Sequence, residues 1–220
     1  MKQRLPYHHG NLKEALLEAA VALIATVGVQ AFTLREVARR AGVSHNAPYR
    51  HFQDKDDLLA AVAAQGFDRL TASMHRAMSE ARNAQDRFRL CGRGYLQFAL
   101  RWPQHIHVMF DLPAPKKVNT AYKQAGERAF QTLLDCVVAL QTESSLPQGD
   151  PLPLAILAWS AVHGLAKLTI AGRLPFNQAQ ALDFANLIAT TLEQGLLHSL
   201  GARNAGPAAR KVVRPGRSLI

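Results

Sequence analysis

His45 and Asn46 are adjacent, short and polar, and lie between Ser44 and Ala47 just after Gly42. Side chains of this size at the N-terminus of a helix can exchange hydrogen bonds with base edges in a DNA major groove. Groups suited to phosphate surround them. Thr33 and Lys55 fall at predicted helix N-termini, where free backbone amides favour an anion. Tyr49 and His51 carry hydrogen-bond donors on the same short segment as the groove candidates. Contacts to phosphate position a protein on a duplex, whereas contacts to base edges specify sequence. Ser44, His45, Asn46 and Ala47 are accordingly assigned to the groove, and Thr33, Tyr49, His51 and Lys55 to the backbone. Plainer uses exist for the second set: Thr33 as a cap, His51 satisfying a nearby carbonyl, Tyr49 as half-buried packing.

Positioning these groups requires two short helices meeting at a tight turn. Hydrophobic spacing is helical throughout the chain, without strand-like alternation or internal repeats. The first helix is predicted from Leu12 to Val27, capped by Asn11 with Glu14 completing a capping box and closed by Gly28. Thr33 and Glu36 form a second capping box that opens a short helix to about Arg40. Ala41-Gly42-Val43 is the turn, and Ser44 caps a third helix through Phe52. Leu34, Val37, Val43 and Phe52 face inward, and the small Ala38 lets the helices approach. Asp54 caps a long fourth helix bearing Leu58, Val62, Phe67, Leu70 and Met74. Further helices are expected over 84–102, 103–111, 116–142, 152–172 and 177–199, separated by prolines. The architecture is therefore all-α: a helix-turn-helix domain at 9–60, a helical domain at 61–200, and a basic tail at 201–220 expected to be disordered.

The totals agree with an intracellular globular protein. Of 220 residues, 48% are apolar, enough for a core and too many for global disorder. The net charge is +10, and half of it sits in residues 201–220, which carry five Lys/Arg and no acid. That tail can add nonspecific attraction to phosphates or serve only to keep the chain soluble. Cys91 and Cys136 lack the spacing of a metal knuckle or a disulfide framework, so no metal and no cofactor is expected, and a reducing cytoplasm is the natural compartment. No signal peptide and no uninterrupted apolar span for a membrane are found.

The run from Thr33 to Leu59 resembles the DNA-binding domain of the tetracycline-repressor-like (TetR) family. The resemblance covers about residues 9–60 and rests on the Thr33 cap, the Ala41-Gly42-Val43-Ser44 turn, the Tyr49-x-His51-Phe52 ending, and Lys55 with Leu58-Leu59. Pro48 departs from it, standing where the family usually has an aliphatic residue. Proline there lacks the amide that would bond the Ser44 carbonyl, which predicts a locally distorted or partly 3-10 third helix. Trp159-Ser-Ala-Val-His163-Gly164 resembles the Trp-x-x-x-His-Gly signature of one TetR-type C-terminal domain. Spacing places Trp159 and His163 on one helix face, where core packing is the stronger reading and ligand contact the sharper one.

The resemblance implies a transcriptional regulator, repression being the family's usual mode. It also implies a homodimer joined through the last two long helices, double-stranded DNA with a palindromic operator as partner, and a small-molecule effector. The apolar faces Leu154, Leu157, Ala161, Leu165, Leu168 and Leu182, Ala185, Ile188, Ala189, Leu192, Leu196 suit such a helix pairing, and also suit a monomer core. Candidates for effector contact are Phe98, Trp102, His105, Met109, Phe110, Tyr122, Trp159 and His163. An enzyme is the rival of another class, but GxSxG, Walker, GxGxxG and HExxH motifs are all missing from the sequence. A ligand-independent architectural DNA-binding protein, or an activator, is the nearer alternative.

Overall fold

The computed structural model describes residues 12–113, 115, 119–143 and 149–201, with side chains to residue 195. Among these residues the chain is all-helical: α1 (Leu12–Ala31), α2 (Leu34–Ala41), a 3-10 turn (Pro48–Arg50), α3 (Lys55–Met78), α4 (Ala84–Arg101), α5 (Pro103–Phe110), α6 (Thr120–Glu143), α7 (Leu152–Ile170) and α8 (Gln178–Gly201). The expected cap at Asn11, the side chain of Leu196 and the basic stretch after Gly201 lie outside the described residues. Two compact units are formed, one drawn from Met1–Gly66 and Gln104–Gln124, the other from Phe67–Pro103 and Ala125–Ile220. Residues 104–124 thus join the unit that holds α1 and α2, whereas the sequence had grouped them with the later helices.

In the first unit, α1 presents Leu16, Leu17, Ala20, Leu23 and Ile24 to the core. Gly28 interrupts it at φ 80°, and the helix resumes for one short stretch instead of ending there. Phe32, Val37, Ala38, Phe52, Leu58 and Val62 are buried in the same unit. Gly66 lets α5 approach α3: a Cβ on it would meet Met109 Sδ at 2.5 Å and His105 Cδ2 at 3.2 Å. His105 itself is fully buried. Its Nε2 lies 3.0 Å from Gln65 Oε1, and the Gln65 amide donates to Glu14 Oε1 at 2.7 Å, so one polar chain links α5, α3 and α1. Burying an imidazole is tolerable only when such bonds replace water.

In the second unit, α4 is the central helix, packed against both α7 and α8. Asn83 caps it by accepting from the Asp86 amide at 2.8 Å, and Asp86 in turn binds Arg82 and Arg89. Phe88, Cys91, Tyr95, Leu96, Phe98 and Ala99 form its buried face. Gly94 sets the distance to α3, because a Cβ there would stand 2.7 Å from Met74 Cα and 2.8 Å from the Ser73 carbonyl. The Ser73 hydroxyl donates to the Gly94 carbonyl at 2.8 Å across this contact. α7 is long and apolar enough to cross a membrane by length and composition. It lies instead against α4 and α8, with Leu154, Ala155, Ala158, Val162, Leu165 and Ala166 buried.

Gly94→Ala forces the α3 and α4 backbones apart. Overpacking of this kind costs about 1–3 kcal/mol, so thermal unfolding followed by circular dichroism should show a midpoint lowered by roughly 5 °C. The same change at half-buried Gly92, whose Cβ direction is open, should leave the midpoint unchanged or raise it.

Candidate nucleic-acid interface

Thr33 begins the interface. Its backbone amide donates to Glu36 Oε2 at 2.7 Å, and its hydroxyl accepts from the Glu36 amide at 3.3 Å. This reciprocal box fixes the start of α2. The helix closes at Gly42, whose φ of 71° is left-handed and costs a side-chain-bearing residue strain. The amide of Val43 returns to the Ala38 carbonyl at 3.0 Å, and the chain reverses.

The α-helix expected from Ser44 to Phe52 does not form. Pro48 has no amide to offer the Ser44 carbonyl, which instead accepts from Ala47 at 2.9 Å. Bonds from Arg50 to Ala47 and from His51 to Pro48 continue the 3-10 pattern, and one α-type bond from Phe52 to Pro48 ends it. The segment is a series of tight turns seated on buried Ala47 and Pro48. A side chain 8% exposed cannot read a base edge, so Ala47 is a seat for the turn and not a groove contact. Ser44, His45 and Asn46 are exposed at the tip. Tyr49 is 52% exposed although aromatic, and His51 is exposed beside the ring of buried Phe52.

Lys55 corrects a second expectation. Its ammonium does not stand out toward a phosphate: it donates to the Gln30 carbonyl at 3.1 Å and the Phe32 carbonyl at 2.9 Å, and lies 4.5 Å from the Phe32 ring centroid. It holds the end of α1 against the start of α3. Asp54 caps that start by accepting from the Asp57 amide at 2.9 Å. The cations that do face solvent are Arg35 on α2, Arg39 and Arg40 at its end, and Arg50 on the 3-10 turn. Arginines on a polar face carry no distinguishing signal in the sequence until α2 and the 3-10 turn are folded.

The eight effector candidates are divided between the units. In the second, Phe98 stacks at 5.5 Å on Trp102, which also lies under Arg101 and Arg69. Trp159 packs 5.8 Å from Phe130. The Tyr95 hydroxyl lies 2.7 Å from His163 Nδ1. Burial pushes the Tyr95 phenol well above its usual pKa, so it stays protonated. Trp159 and His163 stand one turn apart on α7, as their spacing requires. In the first unit, His105 and Met109 are buried and Phe110 is half-buried. Tyr122 borders a cavity of about 290 Å³ whose wall includes Val29, Leu59, Ala63, Val108 and Lys55. Burial raises the Tyr122 phenol as well.

Comparison with known proteins decides the family. Residues 16–62 match the family described as bacterial regulatory proteins, tetR family, and residues 88–192 match the tetracyclin repressor-like C-terminal domain. The chain belongs to the TetR family of transcriptional regulators. Over 74 residues it is 34% identical to the transcriptional repressor Rv3405c of Mycobacterium tuberculosis, a stretch that is 34% of this chain and 39% of that protein. The chain thus spans about two fifths of the length of that curated relative. A solved Rhodococcus protein described as of unknown function is 33% identical, with a TM-score of 0.74, over 88% of this chain and 99% of its own. A TetR family regulator from Marinobacter aquaeolei shares the fold at 22% identity, TM-score 0.64, over 82% and 94% of the two chains.

Lys55→Ala should act first on stability. Two charge-assisted bonds and a ring contact are lost, worth about 2–4 kcal/mol together, and urea unfolding should register the loss. Arg35→Ala and Arg50→Ala should leave stability unchanged and each lower the salt slope of DNA binding by about one.

Proposed function

We propose that this family member is a ligand-responsive repressor that binds a palindromic operator as a homodimer in the cytoplasm. The observation carrying the DNA assignment is the exposed Ser44-His45-Asn46 tip, seated on a buried, hydrogen-bonded scaffold, with Arg35, Arg39 and Arg40 on α2 and Tyr49 and Arg50 on the 3-10 turn also exposed. Short polar groups at the tip suit base edges, and the surrounding arginines suit phosphate oxygens. Lys55 contributes a backbone amide at the start of α3, whereas the amide and hydroxyl of Thr33 are both engaged by Glu36.

The dimer reading is supported by apolar surface on the last two helices. Leu157 is 51% exposed and Leu168 47% on α7, while Phe184 and Leu187 on α8 are 45% and 54% exposed. Side chains of this size clustered on adjacent helices stabilise a four-helix contact between two copies. Two operator half-sites one helical turn apart are read by such a dimer.

Effector control is supported by the cavity beside Lys55. Its volume is at the small end for ligand sites, and its wall is apolar with a few polar groups. A small, mostly apolar molecule there touches the residue that holds the end of α1, the helix leading directly into the Thr33 capping box. Control follows only if the ligand binds one state better than the other; tenfold release needs about 1.4 kcal/mol of coupling.

Sedimentation should give a dimer for the native chain and a monomer for the double variant Leu157→Glu, Leu187→Glu, which should also lose operator affinity. A native chain that sediments as a monomer at tens of micromolar contradicts the dimer. In titrations of operator variants, His45→Ala or Asn46→Ala should shift base preference by about 1–3 kcal/mol at one position of each half-site. A uniform loss over all sequences removes the base-reading assignment. An effector whose affinity is identical with and without operator favours the ligand-independent architectural reading.

A further inference from the structure

Four sulfur atoms from three helices meet inside the second unit. Met74 and Met78 stand one turn apart on α3, Cys91 is on α4, and Cys136 is on α6. Cys91 Sγ lies 3.6 Å from Met74 Sδ, and Cys136 Sγ lies 3.4 Å from Met78 Sδ. Because Met74 and Met78 are four residues apart on α3, the two cysteine–methionine pairs lie along one face of that helix. None of the four residues is more than 5% exposed. The close α3–α4 contact at Gly94, one turn along α4 from Cys91, is what brings Met74 and Cys91 together.

We propose that Met74, Met78, Cys91 and Cys136 form a binding site for one soft monovalent cation, Cu(I). Paired thiolates and thioethers are the donor set that selects this ion, since thioether sulfur binds hard or borderline cations poorly. Zinc has no comparable offer: among the described residues no group of three His, Cys, Asp or Glu is placed to hold a metal. Geometry agrees. Sulfurs sharing one tetrahedral ion at about 2.3 Å stand about 3.8 Å apart. The observed separations fall a few tenths of an ångström short of that, which two flexible methionine side chains can supply by a small outward swing.

The balance of the step is simple. Each thiol loses its proton to solvent as a sulfur–metal bond replaces the S–H bond, and no electron moves. Two thiolates and one Cu(I) leave one net negative charge in the core. The site is independent of the DNA-binding reading, because every ligand lies in the second unit.

The test uses the full chain, reduced and kept free of oxygen, titrated with Cu(I) against a chromophoric Cu(I) chelator and, separately, with Ag(I) as a redox-inert probe. One ion per chain should be retained, with sulfur-to-copper absorption in the near ultraviolet and an all-sulfur shell at about 2.3 Å by X-ray absorption. Cys91→Ser or Cys136→Ser should abolish retention. Met74→Leu with Met78→Leu conserves volume and should keep the fold while weakening Cu(I) at least tenfold. An unliganded chain at the end of the titration, or equal retention by the Cys and Met variants, overturns the site. A mass two units lower, marking a Cys91–Cys136 disulfide in air and no ion without air, overturns it in favour of a redox pair.

Discussion

The Lys55 ammonium lies between the carbonyls of Gln30 and Phe32 and over the Phe32 ring. Those carbonyls close α1 beyond the break at Gly28 and have no later helical amide to accept from. Supplying their partners from the first residue of α3 ties the end of one helix to the start of another. Everything between them is then short and constrained. Thr33 and Glu36 start α2, Gly42 stops it, and Val43 bonds back to Ala38. The exposed tip at Ser44–Asn46 has little freedom left, which lowers the entropy that binding a duplex must overcome.

Pro48 imposes the second constraint on that tip. A regular recognition helix projects successive side chains at 100° intervals, so its groove contacts spread over two turns. The tight turns found here concentrate the polar exposed residues into Ser44, His45 and Asn46, and bury Ala47 and Pro48 beneath them. On the proposed function, base reading is thereby confined to a narrow set of side chains, Ser44, His45 and Asn46. In the second unit, Gly94 and Ser73 play a similar organising part, holding α3 and α4 close enough that larger residues elsewhere on α4 can pack inward.

Much of this was legible before the fold was known. The Thr33–Glu36 box, the Gly42 turn and the Asp54 cap are local devices, fixed by residues within four positions of one another, and each occurs as read. Pro48 also announced its effect, although a partly distorted helix was expected and no α-helix formed. What the sequence did not disclose is set by distant contacts. Lys55 at a helix start looks like an anion ligand until the carbonyls of Gln30 and Phe32, 25 and 23 residues earlier, accept its hydrogen bonds. Arg35 and Arg50 look like ordinary surface residues until α2 and the turn are folded. The sulfur group is invisible because its members lie up to 62 positions apart and follow no motif spacing. Tyr95 could not be linked to His163 for the same reason, at a separation of 68 residues.

Specific recognition of an inverted repeat is the central claim, and selection from a fragmented genome measures it most directly. The full chain is mixed with genomic fragments at about 0.15 M salt, where nonspecific phosphate attraction is weakened, and the bound DNA is sequenced. The account predicts one enriched motif made of two inverted half-sites whose centres lie about 34–36 Å apart, or a multiple of that distance. Bound fragments with no shared inverted repeat would contradict it.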